Sequence, residues 1–189
     1  MDGHHSIRVR LASLADLAEI VAVHVAARTA YYRAGGLTGT EIDNPADQLR
    51  RHEGWQEAIR APEKRVICAE LDGRIVGVAA MGPPLDDAGF LDDAGPTGVG
   101  QLYQIHVHPE CWGRGVGGHL HADFVDYLRS EAMMTGRLEA WERNTRGHSF
   151  YLRHGWQPDG HRRPGPDGTD YLRMRLDLSP ADGSVARAG

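Results

Sequence analysis

The stretch Leu102-Tyr103-Gln104-Ile105-His106-Val107-His108-Pro109-Glu110-Cys111-Trp112-Gly113-Arg114-Gly115-Val116-Gly117-Gly118 holds the residues best suited to gripping a charged ligand. Glycines let a backbone take positive φ and come close to a ligand. Where such a turn opens a helix, unpaired amides and the helix dipole attract phosphate. Arg114 adds a fixed positive charge. The expectation is a phosphate-bearing ligand at Gly113–Gly118. Proton-carrying side chains follow. Glu139 and Trp141 share one face of a predicted strand. Asn144 and Tyr151 stand seven residues apart, two helical turns, and so share a helix face. A carboxylate can take a proton and a phenol can give one. His106 and His108 share a strand face and are further candidate bases. They could also start a metal site, but no third ligand falls at convincing spacing, and His119 and His121 do not face together on their helix. No metal is expected.

The surrounding pattern supplies the frame. Ile7 to Leu11 alternates like a strand. Ser13 and Asp16 resemble a capping box. Leu17, Ile20, Val21, His24, Val25 and Arg28 then repeat at helical spacing, which predicts a helix from Leu14 to Ala34, stopped by Gly35-Gly36. Asn44-Pro45 opens a second helix to Ala61, with a thin apolar side of Leu49, Trp55 and Ile59. Arg65–Leu71 and Arg74–Met81 read as a hairpin closed by a type I′ turn at Asp72-Gly73. Leu85 to Gly100 is a long loop bearing Asp86, Asp87, Asp92 and Asp93. Gln101–Val107 is a strand. Val116, Leu120, Phe124 and Leu128 mark one face of a helix to Met133. Arg137–Trp141 is a strand, Asn144–His154 a short helix capped by Gly155, Trp156–Gly160 a strand and turn, and Tyr171–Leu178 an alternating strand. The prediction is one α/β domain over 1–180 with a mixed sheet, and a flexible tail at 181–189.

Composition narrows the function classes. The net charge of −5 disfavours binding to nucleic acid. No apolar run reaches the length of a membrane helix, and Met1–Arg10 lacks a signal-peptide core. Cys68 and Cys111 form no CxxC pair, which suits a reducing, cytoplasmic setting. A symmetric homodimer is the commonest oligomer for such a domain, although no segment marks an interface.

Two cofactor readings arise from the glycines. Gly113, Gly115 and Gly118 spell the GxGxxG of NAD(P)-dependent enzymes. That fold repeats its βαβ unit, and too little chain follows for a second half. The other reading rests on a resemblance. Trp112-Gly113-Arg114-Gly115-Val116-Gly117, after a strand and a proline turn, resembles motif A (Q/R-x-x-G-x-G/A) of the GNAT acetyltransferases, with Trp112 in place of Gln or Arg. Glu139-Ala140-Trp141-Glu142-Arg143-Asn144 and Phe150-Tyr151-Leu152-Arg153-His154-Gly155-Trp156 resemble that family's motif B, with Trp156 in place of Phe.

The resemblance implies a GNAT-like fold, mostly antiparallel, with a central parallel βαβ unit splayed at the cofactor site. It implies acetyl-CoA as co-substrate. Amides of Gly113, Arg114, Gly115, Val116, Gly117 and Gly118 would hold the pyrophosphate, and Ile105, His106 and Val107 would hold pantetheine and the acetyl group. Asn144 would bond pantetheine, Tyr151 would act as acid at the sulfur, and Glu139 as base. The reaction implied is N-acetylation of a small-molecule or peptide amine. Such a reaction needs a neutral amine, a donor for the developing oxyanion and an acid for the thiolate. The four loop aspartates would suit a cationic amine, and Tyr31, Tyr32 and Trp55 would line the acceptor side. A degenerate acyl-CoA-binding module without turnover is the alternative.

Overall fold

The computed structural model describes residues 6–38, 45–85 and 98–178. Asn44, the four loop aspartates and the 181–189 tail lie outside them. A seven-stranded sheet runs in the order β1-β2-β3-β4-β5-β7-β6. The strands are β1 (Arg8–Leu11), β2 (Arg65–Leu71), β3 (Arg74–Gly82), β4 (Val99–Val107), β5 (Thr135–Trp141), β6 (Gln157–Pro164) and β7 (Asp170–Asp177). The helices are α1 (Leu17–Ala34), α2 (Pro45–Arg60), α3 (Val116–Ser130) and α4 (Thr145–Arg153). Several bounds differ from the sequence reading, and two of them matter for the site. β4 begins at Val99, inside what reads as loop, and β6 continues to Pro164, because pairing with β7 holds a polar stretch extended. Among the described residues no helix is long and apolar enough to cross a membrane.

Local chemistry explains the entries and turns. The Asp16 carboxylate accepts from both the Ser13 amide (2.7 Å) and its hydroxyl (2.9 Å), and clasps Arg10 of β1 through two 2.8 Å bonds. Asp72 and Gly73 both have positive φ (54° and 76°), as a type I′ turn demands.

Apolar faces cover both sides of the sheet. Leu120, Phe124 and Leu128 of α3 are wholly buried with Ile67, Leu138 and Trp156 on one side. Each contributes roughly 1.5–3 kcal/mol of burial. Leu17, Ile20 and Val23 of α1 pack with Trp55 of α2 on the other side.

Neighbouring strands pair antiparallel except β4 and β5. Those two run parallel and pair only at Val99–Thr135, Gly100–Gly136 and Gln101–Arg137. One parallel pair is not a doubly wound dinucleotide-binding sheet. The β3–β4 register shows why the pairing stops. Met81 faces Leu102 and Ala80 faces Gln104, so Tyr103 is an extra residue. A bulge bends and twists its strand, and this one immediately follows the last β4–β5 pair. It also switches faces: Leu102 before it and Ile105 and Val107 after it all meet the α3 core.

Gly100 and Gly136 lie side by side where the two strands still touch. A Cβ at Gly100 would invade Leu128 Cδ2 and stand 2.9 Å from Met133 Sδ; one at Gly136 would stand 3.0 Å from Phe124 Cε1. The glycine pair is the seat of α3. Gly100→Ala should therefore cost about 1–3 kcal/mol in urea unfolding through overpacking; an unchanged midpoint would show that α3 does not depend on this seat.

Candidate active site

The bulge separates two strands whose ends carry the sequence-predicted residues. At the end of β4, the His108 amide bonds Val76 O at 2.8 Å. Strand alternation then turns the backbone groups of His106 toward β3, and those of Ile105 and Val107 toward the gap. The Val107 carbonyl accepts from Trp112 Nε1 at 2.8 Å, and Arg146 covers that indole at 4.5 Å. Trp112 thus closes the end of the strand edge.

Beyond it, Gly113 and Gly115 have φ of 77° and 86°, which require glycine. His119 N bonds Gly115 O at 3.2 Å and closes the first turn of α3. The amides of Val116, Gly117 and Gly118 precede that bond and are the ones a helix start leaves open. Val116's side chain is buried, so only its backbone serves a ligand. Gly117 lies under Phe150, where a Cβ would sit 3.2 Å from the ring; at Gly118 a Cβ would meet nothing nearer than His154 at 4.0 Å. Arg114 is exposed.

A cavity of about 490 Å³ is lined by both diverging strands, by Tyr31 and Tyr32 of α1 and by Tyr151 of α4. Tyr151 belongs to the α3 core, whereas Tyr32 packs with Trp141 on the opposite face. The cavity therefore passes through the gap between β4 and β5. Glu139, His106, Asn144 and Tyr151 all line it. Asn144 caps α4, its Oδ1 accepting from Gly147 N at 3.0 Å. Burial holds the Tyr151 phenol well above its ordinary pKa, so it keeps its proton. Glu139 Oε2 takes two bonds from Arg163, at 2.9 and 2.7 Å.

Two histidines stack in the same wall. His24 of α1 lies against His106 with ring centroids 4.1 Å apart. Trp55 Nε1 donates to His24 Nδ1 at 2.9 Å, which puts the His24 proton on Nε2. Burial, and after it the neighbouring His106 and Arg28, push His24 well below the usual histidine pKa. Burial and Arg28 lower His106 to about 3. Both rings are neutral at physiological pH. His108 is elsewhere, 3.8 Å from Glu110. His121 accepts from the buried Trp156 indole at 2.9 Å, so it serves the core. Among the described residues no three His, Cys, Asp or Glu side chains gather as a metal site.

The structure keeps Tyr31 and Tyr32 on the cavity wall but sinks Trp55 into the core behind His24. Sequence reasoning had no role for His24, Arg28, Arg163 or Tyr171, which complete the wall. For His24 and Arg28 a signal existed: polar residues four apart on the inward face of α1. For Arg163 and Tyr171 none did, since β6 and β7 reach the cavity only through sheet order.

Comparison with known proteins gives the family. The sequence model of the acetyltransferase (GNAT) family matches residues 24–156, and the chain belongs to that family. It is an acyltransferase. No protein of curated function matches it. Among solved structures it is similar to PaiA N-acetyltransferase from Thermoplasma acidophilum in complex with coenzyme A, at 18% identity and a TM-score of 0.74, covering 92% of this chain and 99% of that one. It is also similar to a GCN5-related N-acetyltransferase from Kribbella flavida (22%, TM-score 0.66, covering 91% and 98%). A third is the ribosomal-protein-alanine N-acetyltransferase from Brucella melitensis (20%, TM-score 0.67, covering 90% and 99%).

His106 yields a prediction. Its folded pKa, about 3, lies below the ordinary 6.5, so the unfolded chain takes the proton first. Stability should be fully present above pH 6.5 and fall as pH drops toward 3, by at most about 1.4 kcal/mol per pH unit for the group. His106→Gln should show a flatter loss of Tm between pH 6.5 and 4; parallel curves would mean that the fold does not hold His106 neutral.

Proposed function

We propose that the chain moves the acetyl group of acetyl-CoA to an amine of a small molecule or peptide. The observation that carries this is the through-going gap between β4 and β5, with open amides at one end and Tyr151, Glu139 and Asn144 along its wall. The coenzyme A named with the Thermoplasma structure and the ribosomal-protein alanine named with the Brucella one support it. The residues fit the ligand. Gly113 and Gly115 take φ values closed to other residues, and the amides of Val116, Gly117 and Gly118 open the α3 dipole toward an anion. Gly113, Arg114, Gly115, Val116, Gly117 and Gly118 would hold the pyrophosphate.

Acetyl-CoA supplies a thioester whose carbonyl carbon can accept an amine. The chain must orient it, hold its developing negative charge and move two protons. The backbone groups of Ile105 and Val107 face the gap, and the Val107 N–H would donate to the acetyl oxygen. His106 contributes its side chain to the acceptor wall rather than a backbone bond to the gap. Asn144 Nδ2 is the donor or steering group for pantetheine, since its Oδ1 is engaged in capping. Tyr151, kept protonated by burial, holds the proton for the leaving sulfur. Glu139 takes the amine proton; both Arg163 bonds fall on Oε2, so Oε1 is the atom for that step. Cys68 and Cys111 are both free and buried, which supports a reducing, cytoplasmic setting.

Acetyl-CoA at about 100 times its Kd should stabilise the fold by roughly 2.7 kcal/mol, and NAD should not. Absence of a shift with acetyl-CoA at millimolar concentration would sink the cofactor assignment. Tyr151→Phe should keep that shift and lose about 10²-fold or more in kcat, measured as thiol release; an unchanged rate would remove Tyr151 from the acid role. A wild-type shift without thiol release from any amine would favour the non-catalytic binding module.

A further inference from the structure

Four arginines line the cavity: Arg28, Arg137, Arg163 and Arg173. Three have partners within the fold, and Arg137 donates to Gln101 Oε1 at 3.2 Å. Arg163 is held by Glu139, and Arg173 by Asp159. Arg28 differs. It is partly buried, and its Cζ lies 4.8 Å from the Tyr32 ring centroid. Among the described residues no carboxylate stands beside it. The hydroxyl of Tyr32, which meets that of Tyr171 at 2.6 Å, also bonds Arg28, so the partner it offers is a neutral phenol.

A guanidinium stays charged at any physiological pH. Burying part of one without a counter-charge is costly unless another group supplies the missing partner. Among the described residues the wall supplies a phenol but no counter-charge. His24 and His106, held neutral by burial, line the same cavity as Arg28 and carry no negative charge. The single carboxylate of the wall, Glu139, is taken by Arg163. Guanidinium donors match the two oxygens of a carboxylate or phosphonate. The cavity volume of about 490 Å³ suits a small molecule.

We propose that Arg28 is the oxyanion-binding residue of the acceptor pocket, and that the acceptor is a primary amine carrying a carboxylate or phosphonate group. The amine points to Glu139 and the acetyl group, and the acid group points to Arg28 beside Tyr32. This rests on the acetyl-transfer reading and names its substrate class. It departs from the expectation of a plain cationic amine drawn from the loop aspartates.

Thiol release from acetyl-CoA is measured for amino acids, for the amides of the same amino acids and for aminoalkyl phosphonates. The wild type should favour the acid over its own amide by at least about tenfold in kcat/KM, because a charge-assisted pair is lost with the acid group. Comparison of the carboxylate and phosphonate arms identifies which oxyanion the site takes. Arg28→Gln should bring the acid-to-amide ratio close to one, chiefly through KM for the acid, while Arg28→Lys keeps part of the preference. Thermal unfolding with acetyl-CoA is run on each variant. If Arg28→Gln loses that shift, Arg28→Lys against wild type carries the comparison. Equal use of acids and amides by the wild type, or a ratio that survives Arg28→Gln, overturns the proposal. So does an acetyl-CoA shift with no thiol release from any acid. Loss of the acetyl-CoA shift in the wild type itself would instead overturn the acetyl-transfer reading, and this proposal with it.

Discussion

One extra residue in β4, Tyr103, bends the strand away from β5 just after the Gln101–Arg137 pair. Sheet strands normally satisfy each other's amides and carbonyls, and a separated pair leaves both edges open. Here the open edge belongs to Ile105 and Val107. The separation also joins the two faces of the sheet, so that Tyr151 on one side and Tyr32 on the other line a common cavity. Without the bulge, β4 and β5 would zip together and the α4 side chains would be shut off from the α1 side.

The rest of the fold holds that separation in place. The glycine pair Gly100–Gly136 lets α3 press onto the sheet where the strands still touch, and α3 then delivers its own N-terminus to the end of β4. Trp112 bonds the last outward carbonyl of β4 and so stops the edge from continuing past Val107. The gap is therefore bounded by a packed seat at one end and an indole bond at the other.

The electrostatics of the acceptor wall are uneven. Burial keeps His24 and His106 neutral and Tyr151 protonated, and Arg163 neutralises Glu139. Arg28 lies on the same wall, and among the described residues no carboxylate stands beside it. A charge of that kind in a partly dry pocket acts on ligands far more strongly than an exposed one, because water screens it less.

Much of this was legible in the chain itself. The four-residue spacing of Val116, Leu120, Phe124 and Leu128 specifies a buried face of α3, and Asp72-Gly73 specifies its turn, because both depend on neighbours along the chain. The glycines at 113 and 115 announce positive φ for the same reason. The seven-residue interval from Asn144 to Tyr151 brings the cap of α4 and a residue two turns on to the same cavity. The bulge at Tyr103 was not legible, since it is a register relation between β3 and β4 rather than a local preference. The same holds for Arg163 on Glu139 and for Arg28 without a carboxylate: each is a statement about which distant side chains meet. The sequence alone determined the elements, their buried faces and the residues able to bind phosphate or carry protons. Only the tertiary structure decided which of them share one cavity, because strand register and sheet order are set by packing between segments far apart in the chain.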